Sequence, residues 1–367
     1  MENLQTAKIS RRQFFFLILQ TQLGVGILSL PYDLYGTAKQ DGWISLLLSG
    51  VIILLILFLF WRLARKFPDH HFFQYMEILL GKWLSKFFIL LYCFYFIAVG
   101  VLITLLFTRT INLWVLSKTP MLVVALLLAL SGLYMANSSL QVIARMYVML
   151  SFLIVVLIVP LLLVIQDLKL IYILPIGISG ISPILKGMNE GIISFLGFII
   201  SLIVFPVVNG TDKQKLWTML LAQLSVMGLY LFTILTSYTF FSSEEIGLVP
   251  NPLLYMLKTF EFQIVARLDI FFVSLWIIFV FTTFAMYVYM SGVGFSTIFK
   301  SKKNGMFNTI SMVIILTLFI LIGKNEYDIG RFSTYVTTSA YAFSIGVPVL
   351  ILMLSNIRRR NKGRGSS

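Results

Sequence analysis

Glycine residues interrupt two apolar segments of this sequence where a helix would otherwise continue. Gly24 and Gly26 flank Val25 in the first segment, and Leu196-Gly197 lies in a segment of the second half. Because glycine has no Cβ, the backbone can unwind there and approach a ligand. The freed N–H and carbonyl groups suit the carboxylate and the ammonium group of a zwitterionic amino acid. Close helix packing on these small residues is the alternative, and the local sequence favours neither.

Other residues are candidates for the same kind of site. Thr282 and Thr283 fall near the middle of an apolar segment, where a threonine hydroxyl binds either its own helix backbone or a ligand. Val99, which precedes a glycine, leaves room for a neighbour or a substrate. Asp33 and Glu190 are expected near the ends of their segments. The sequence therefore predicts no ionisable group inside the membrane to hold a coupling proton, which disfavours a proton-driven pump.

The sequence has no motif of a metal site, of a phosphate-binding loop or of a nucleophile with its base. His70 and His71 follow Asp69, and this cluster is interpreted as the polar start of a short helix with Asp69 as its N-cap. Cys93, the one cysteine, lies in an apolar segment and is expected to pack there. We therefore expect no enzymatic activity, no metal and no other cofactor.

Helices must position these residues, because the composition is that of a membrane protein. Of the 367 residues, 59% are apolar and 11% are charged, whereas soluble domains carry about 25% charged residues. Long uncharged runs recur, and a helix needs roughly 20 apolar residues to cross the hydrocarbon core. We predict an all-α membrane protein with about ten transmembrane helices. They fall at 12–35, 42–64, 84–108, 120–136, 142–166, 188–209, 216–241, 264–294, 306–323 and 334–356.

Charged residues lie between the predicted helices and set their orientation. Most of the 28 Lys and Arg residues fall on the side of the N-terminus, so the positive-inside rule places both termini in the cytoplasm. The net charge of +14 is spread over loops instead of one face, which argues against a nucleic acid partner. Residues 357–367 form a basic tail directly after the last helix, as expected of an anchor on the anionic surface of a lipid bilayer.

The order of features repeats once along the chain. Each half begins with a glycine-interrupted helix, and a short amphipathic stretch with a Tyr-Met pair follows its second helix (Tyr75-Met76, Tyr255-Met256). Residues 12–166 and 188–356 would then be two five-helix repeats within one transmembrane domain, 1–367. Since five is odd, the second repeat enters the membrane inverted, as in many secondary transporters with broken helices one and six. Chance recurrence of glycine and proline is the alternative.

Short motifs along the sequence resemble one protein family. The segment Leu23–Pro31, LGVGILSLP, is similar to the first-helix signature of the B subunits of bacterial spore nutrient germinant receptors. Further motifs follow in the order found in that family. They are Asp41-Gly42-Trp43-Ile44, Gly81-Lys82-Trp83, Lys118-Thr119-Pro120, Ser194-Phe195-Leu196-Gly197, Ala266-Arg267-Leu268-Asp269 and Phe281-Thr282-Thr283-Phe284.

This resemblance implies a LeuT-like fold of the amino acid–polyamine–organocation superfamily, located in the spore inner membrane. It implies a receptor that works with an A-type subunit and a lipoprotein C-type subunit. A small nutrient, often an amino acid, would bind between helices one, three, six and eight. The ligand-binding residues carried over to this sequence are Gly24, Val25, Gly26, Val99, Leu196, Gly197, Thr282 and Thr283. The expected function is nutrient binding followed by a signal to partner subunits that starts germination, and an amino acid permease of the same fold is the alternative.

Overall fold

The computed structural model describes residues 8–260, 267–301, 303–323 and 325–364, and these residues form a helical bundle. One parallel backbone bridge occurs within these ranges, just before the first helix. The N–H of Ile9 donates to the carbonyl of Val207, and the N–H of Asn209 donates to the carbonyl of Ile9, each at 2.9 Å. The bridge joins the start of predicted helix one to the end of predicted helix six.

Residues 8–163 form eight α-helices. They are α1 (Arg11–Gln22), α2 (Leu30–Ala38), α3 (Gly42–Ala64), α4 (Phe72–Leu80), α5 (Lys82–Trp114), α6 (Met121–Ala136), α7 (Leu140–Leu150) and α8 (Phe152–Leu163). Predicted helix one consists of α1 and α2, and predicted helix five consists of α7 and α8.

The second half also forms eight helical pieces within the described ranges. They are α9 (Ile181–Ser194), α10 (Ile200–Val204), α11 (Asp212–Phe240), α12 (Pro252–Lys258), α13 (Leu268–Ile298), α14 (Gly305–Ile322), α15 (Glu326–Tyr341) and α16 (Val347–Arg364). Predicted helix six is broken into α9 and α10. A π-helical turn, Ala342–Gly346, connects α15 to α16 within predicted helix ten.

Seven helical stretches of the described residues are long and apolar enough to cross a membrane. They are Leu30–Ala64, Lys82–Trp114, Leu140–Asp167, Asp212–Phe240, Gly305–Ile322, Leu268–Ile298 and Tyr327–Ile357. Met121–Ala136 is apolar but shorter. The all-α membrane class and the two broken helices of the prediction are confirmed. A count of ten is reached only when α1 is joined to α2 and α9 to α10, because each piece alone is too short to span.

Several predicted bounds were wrong by a few residues. Helix six begins at Ile181 instead of residue 188, and helix ten begins at Glu326 instead of residue 334. Charged residues such as Lys186 had been assigned to loops, although a long charged side chain can reach water from the end of a helix. The predicted start of helix eight at 264–266 and the tail residues 365–367 lie outside the described residues.

The helices α5 and α13 form the centre of the bundle and pack along each other. Residues 282–296 of α13 are all buried, as expected of a helix enclosed by other helices. Around this pair, α1 packs on α7 and α11, while α2 and α9 pack together beside α3. The two broken helices are thereby placed side by side, and α1 of the first also packs against α13.

The two amphipathic stretches form the short helices α4 and α12, which pack on the bundle. Tyr75, Met76 and Met256 are fully buried. The N-cap of α4 is His71, and its backbone N–H donates to Oε1 of Gln74 at 3.0 Å. The prediction of Asp69 as the N-cap was wrong, because the helix begins after the histidine pair.

Candidate ligand-binding site

The first break, between α1 and α2, lies against α13. Thr283 Oγ1 is 3.0 Å from the carbonyl oxygen of Gln20, and Trp276 Nε1 donates to the carbonyl of Gly24 at 3.2 Å. Backbone groups freed by a break inside a membrane protein are tolerated only where protein or a cavity satisfies them. Side chains of α13 therefore stabilise the unwound segment.

The second break, between α9 and α10, contacts the first broken helix. Gly197 lies between them with φ of +121°, a conformation that favours glycine. A Cβ at Gly197 would lie 2.5 Å from the carbonyl oxygen of Thr21. The glycine is thus required both by its backbone conformation and by the close approach of the two broken helices.

Tyr230 of α11 connects both breaks. Its hydroxyl donates to the carbonyl of Gln22 at 2.5 Å and lies 3.2 Å from the carbonyl oxygen of Ser194. Tyr230 is fully buried. One hydroxyl therefore serves the last residues of both α1 and α9. No sequence pattern predicts this role, because a tyrosine in a long apolar helix is most simply interpreted as packing.

A cavity of about 190 Å³ lies where the two breaks meet α5, α13 and α15. Sites for drug-sized molecules measure about 300–1,000 Å³, so this cavity suits a smaller ligand. Its lining combines the backbone of the first break, apolar side chains of α5 and polar side chains of the other helices. The lining residues are Thr21, Gln22, Gly24, Val25, Gly26, Ser29, Asp33, Val99, Leu102, Ile103, Leu106, Glu190, Ile193, Ser194, Leu196, Thr283, Tyr287, Ser333, Val336 and Thr337.

Most of the residues predicted from the sequence come together around this cavity. Six of the eight line it: Gly24, Val25, Gly26, Val99, Leu196 and Thr283. They come from α5, α13 and both breaks, so the structure brings together the four helices that the resemblance implied. Ligand binding by these residues stays a prediction.

Gly197 and Thr282 are placed elsewhere. Gly197 packs against the backbone of Thr21. Thr282 Oγ1 donates to the carbonyl of Phe279 at 2.9 Å, and the carbonyl of Thr282 accepts from the hydroxyl of Tyr147 at 2.7 Å. Neighbouring residues of a helix point about 100° apart, so only Thr283 of the threonine pair faces the cavity. Gly197 and Thr282 support the shape of the site and do not line it.

Two acidic residues that had been assigned to helix ends line the cavity. Asp33 is in the first turn of α2, directly after the break, and Glu190 lies one turn before the end of α9. The expectation of an interior without ionisable groups was therefore wrong. Because each helix is broken, residues near a break face the centre of the bundle even when they look terminal in the sequence. Tyr287 also lines the cavity, one turn after Thr283.

The polar lining is acidic. Asp33 interacts with the hydroxyl of Ser29 and, electrostatically, with Glu190. Glu190 Oε1 is 3.5 Å from Nδ2 of Asn189. No Lys, Arg or His side chain is among the lining residues. The described residues also contain no group of three or more His, Cys, Asp or Glu side chains suited to a metal ion.

The helix α15 covers one side of the cavity. Ser333, Val336 and Thr337 contribute to its lining. At the end of this helix the hydroxyl of Tyr341 donates to Oδ1 of Asn189, next to Glu190. The π-helical turn follows at once, and such turns occur frequently at functional sites. The cover of the cavity is thus attached to the rest of the bundle through an irregular turn.

A larger, open groove of about 830 Å³ lies on the outer side of α1, α8 and α11. Its lining is mainly apolar, with Phe16, Phe152 and Phe232 among its residues. Its lining includes no residue of the two breaks and no acidic side chain. An apolar outer face of this kind is what a membrane protein presents to lipid. The smaller, less open cavity is therefore the candidate site.

The fold is that of LeuT-type membrane transporters. A Na+-coupled sialic acid symporter superposes with a TM-score of 0.67 at 12% identity, over 94% of this chain and 79% of that one. The manganese transporter of Eremococcus coleocola superposes with a TM-score of 0.67 at 11% identity, over 93% and 78%. At such low identity the likeness concerns the fold alone.

Sequence comparison assigns the chain to a specific protein family. The family model "Spore germination protein" matches residues 8–329, so this chain belongs to the spore germination protein family. Spore germination protein YndE of Bacillus subtilis (strain 168) is 27% identical over 97% of this chain and 99% of its own length. Spore germination proteins A2 and KB of the same organism are each 28% identical, over 96% and 88% of this chain and 97% and 87% of their own.

These comparisons confirm the resemblance found in the sequence motifs. The chain is an integral membrane protein of a germinant receptor or permease family, with the LeuT-type arrangement of two broken helices. Family and fold are those of permeases and transporters and not those of enzymes.

Proposed function

We propose that the protein is the membrane subunit of a spore germinant receptor and that a small nutrient, an amino acid, binds in the cavity between the broken helices. The observation that carries this proposal is the cavity of about 190 Å³ at the junction of the two breaks. The similar proteins that are named as spore germination proteins support germination as the process in which this protein takes part. Gly24, Val25, Gly26, Val99, Leu196 and Thr283 would contact the ligand.

Unwound backbone is well suited to an amino acid. The helix α2 begins at Leu30 beside the cavity, and the N-terminus of a helix attracts a carboxylate through its free N–H groups and its dipole. Asp33 and Glu190 supply negative charge for the ammonium group. In this arrangement the two charged ends of the ligand bind to groups of opposite polarity, and Leu196 and Val99 contact its side chain.

Signalling requires that the ligand bind one conformation better than another. The helix α15 covers the cavity and connects through the π-helical turn to α16 and the basic tail. A ligand that pulls α15 inward would therefore displace α16. The proposed recipients of this movement are an A-type subunit and a lipoprotein C-type subunit in the spore inner membrane, with both termini of this chain in the cytoplasm.

A permease is the second candidate function. Two carboxylates in the cavity favour it, because ionisable groups inside a membrane protein often bind a coupling ion or proton. The two functions differ in turnover. A permease would accumulate or exchange a labelled amino acid in proteoliposomes, whereas a receptor subunit would bind it without transport.

Binding is tested first by thermal unfolding of the purified protein with a panel of amino acids, sugars and nucleosides. A ligand that binds only the folded state adds about 2.7 kcal/mol at a hundred times its dissociation constant. We expect one amino acid to raise the melting temperature, and Gly24→Leu to remove that shift while the variant still inserts and folds. A panel without any shift, or a shift that Gly24→Leu leaves intact, would refute binding in this cavity.

A further inference from the structure

Two carboxyl groups, those of Asp33 and Glu190, line the cavity, and no Lys, Arg or His side chain lines it with them. Asp33 and Glu190 come from different broken helices and are close enough to interact electrostatically. Among the described residues neither carboxylate forms an ion pair, and the lining contains no basic side chain. Charges withdrawn from water are costly unless they are paired. The unbalanced charge therefore points to a positively charged ligand.

An independent observation comes from Gln22, at the end of α1. This side chain is 2% exposed and lines the same cavity. Its Nε2 donates to the carbonyl of Ile18 at 3.1 Å, but its Oε1 accepts no hydrogen bond. A buried oxygen without a donor is destabilising. An incoming N–H group would remove this deficit.

The hydroxyl groups that line the cavity offer a ligand hydrogen-bond acceptors and few hydrogen-bond donors. Thr21 donates to the carbonyl of Leu17 at 2.6 Å, and Ser194 donates to that of Glu190 at 2.9 Å. Thr283 likewise lies 3.0 Å from the carbonyl of Gln20. Each proton is used by the backbone, so that these oxygens present lone pairs. The lining is rich in acceptors, as a ligand with several N–H donors requires.

We infer that Asp33, Glu190 and Gln22 form a subsite for a primary ammonium group and that the natural ligand carries a net positive charge, as a basic amino acid does. This inference rests on the proposed function and narrows it. A neutral amino acid brings one ammonium group and one carboxylate, which leaves both charges of the protein in excess. A basic amino acid brings a second ammonium group and balances one of them.

The test compares L-lysine with L-norleucine, which has the same carbon chain and lacks the side-chain ammonium group. Binding to the purified full-length protein is measured by calorimetry and by thermal unfolding. We expect lysine to bind at least about tenfold more tightly than norleucine, as one charged hydrogen bond contributes. Asp33→Asn and Glu190→Gln should each weaken lysine binding by at least about tenfold, while the exposed Asp167→Asn and Glu244→Gln leave it unchanged.

The variants also distinguish binding from structure. Because each neutral variant removes an unpaired charge, its melting temperature without ligand should be unchanged or higher. A lower melting temperature with unchanged lysine affinity would mean that the carboxylate is structural, and it would overturn the inference. Equal binding of norleucine would overturn it as well, as would a carboxylate-dependent shift produced by NaCl or KCl alone.

These failures are separable from failure of the proposed function. If a neutral amino acid binds, if Gly24→Leu abolishes that binding and if the acidic variants do not affect it, the nutrient cavity stands and the ammonium subsite is refuted. If neither lysine nor norleucine nor any member of the nutrient panel binds, both are refuted.

Discussion

The hydroxyl of Tyr230 donates to the carbonyl oxygen of Gln22 at 2.5 Å, and the same hydroxyl lies 3.2 Å from the carbonyl oxygen of Ser194. One side chain of α11 therefore stabilises the ends of two helices that are far apart in the sequence. The candidate cavity begins at these ends, with Gln22 and Ser194 both in its lining. Its shape depends on a residue that does not line it.

Replacing Tyr230 by phenylalanine is expected to loosen both breaks. A buried carbonyl that loses its donor costs about 1–3 kcal/mol, so Tyr230→Phe should lower the melting temperature and weaken ligand binding. The matched control is Tyr134→Phe, at a position that is 84% exposed. Equal melting temperatures for the two variants would show that the hydroxyl does not hold the breaks.

Gly24 offers a graded test of the site. A Cβ there would meet Cγ2 of Thr283 at 3.4 Å, an ordinary contact. Gly24→Ala should fold normally and reduce ligand affinity only slightly, whereas the larger side chain of Gly24→Leu would extend into the cavity and abolish binding. Isothermal titration of both variants measures the difference. Full binding by Gly24→Leu would place the ligand elsewhere.

Gly197 should affect folding more than recognition. An alanine at φ of +121° is strained by about 1–3 kcal/mol, and its Cβ would also clash with the carbonyl of Thr21. Gly197→Ala is therefore expected to unfold at a lower temperature or to be lost during purification. Gly228 lies in α11 with open space around it, so Gly228→Ala should be neutral or stabilising by up to about 1 kcal/mol. Similar yields and melting temperatures for both variants would contradict the role given to Gly197.

Leu196 is expected to shape ligand preference. Its side chain lines the cavity, so Leu196→Ala enlarges the space beside the ligand and should favour a larger side chain over a smaller one. Leu202→Ala, at a buried position of α10 outside the lining, should lower stability by about 2–5 kcal/mol without changing the order of preference. Dose–response curves for a series of amino acids distinguish the two. An unchanged order in Leu196→Ala would remove this residue from the site.

His71 makes stability depend on pH. Burial lowers its pKa from an ordinary 6.5 to about 3, since the charged form is poorly solvated at the start of α4. Between these values the unfolded chain binds a proton that the folded protein does not, so stability present above pH 6.5 is lost as the pH falls towards 3. The melting temperature should drop from pH 7.5 to pH 5, and His71→Phe should reduce that drop. Repulsion by His70 also lowers the pKa of His71, so His70→Asn should reduce the drop less than His71→Phe does. An equal drop in both variants would assign the effect to other groups.

Much of this site could be predicted from local sequence, because the breaks in the two helices contain glycine residues that are visible in the sequence. Gly24 and Gly26 in an apolar run indicated the first break, and Leu196-Gly197 indicated the second. The sequence could not tell whether Thr282 or Thr283 faces the ligand, since that depends on the rotation of α13 against its neighbours. One sign was present: only Thr283 has a polar residue, Tyr287, one turn later on the same face.

The acidic pair was missed for a different reason. If each helix is taken to be unbroken, Asp33 and Glu190 lie near its end and therefore near the membrane surface. A break shifts the start of the next helical piece towards the middle of the bundle, and the depth of Asp33 then depends on where α2 begins. The break itself is stabilised by contacts that no local pattern reveals, such as the hydrogen bond from Trp276 of α13 to the carbonyl of Gly24.

The backbone bridge between Ile9 and residues 207–209 has a mechanical consequence. It ties the segment before α1 to the segment after α10 by two backbone hydrogen bonds of 2.9 Å each. Any movement of α1 away from α10 at this end would have to break both bonds, so the bridge mechanically couples the two broken helices.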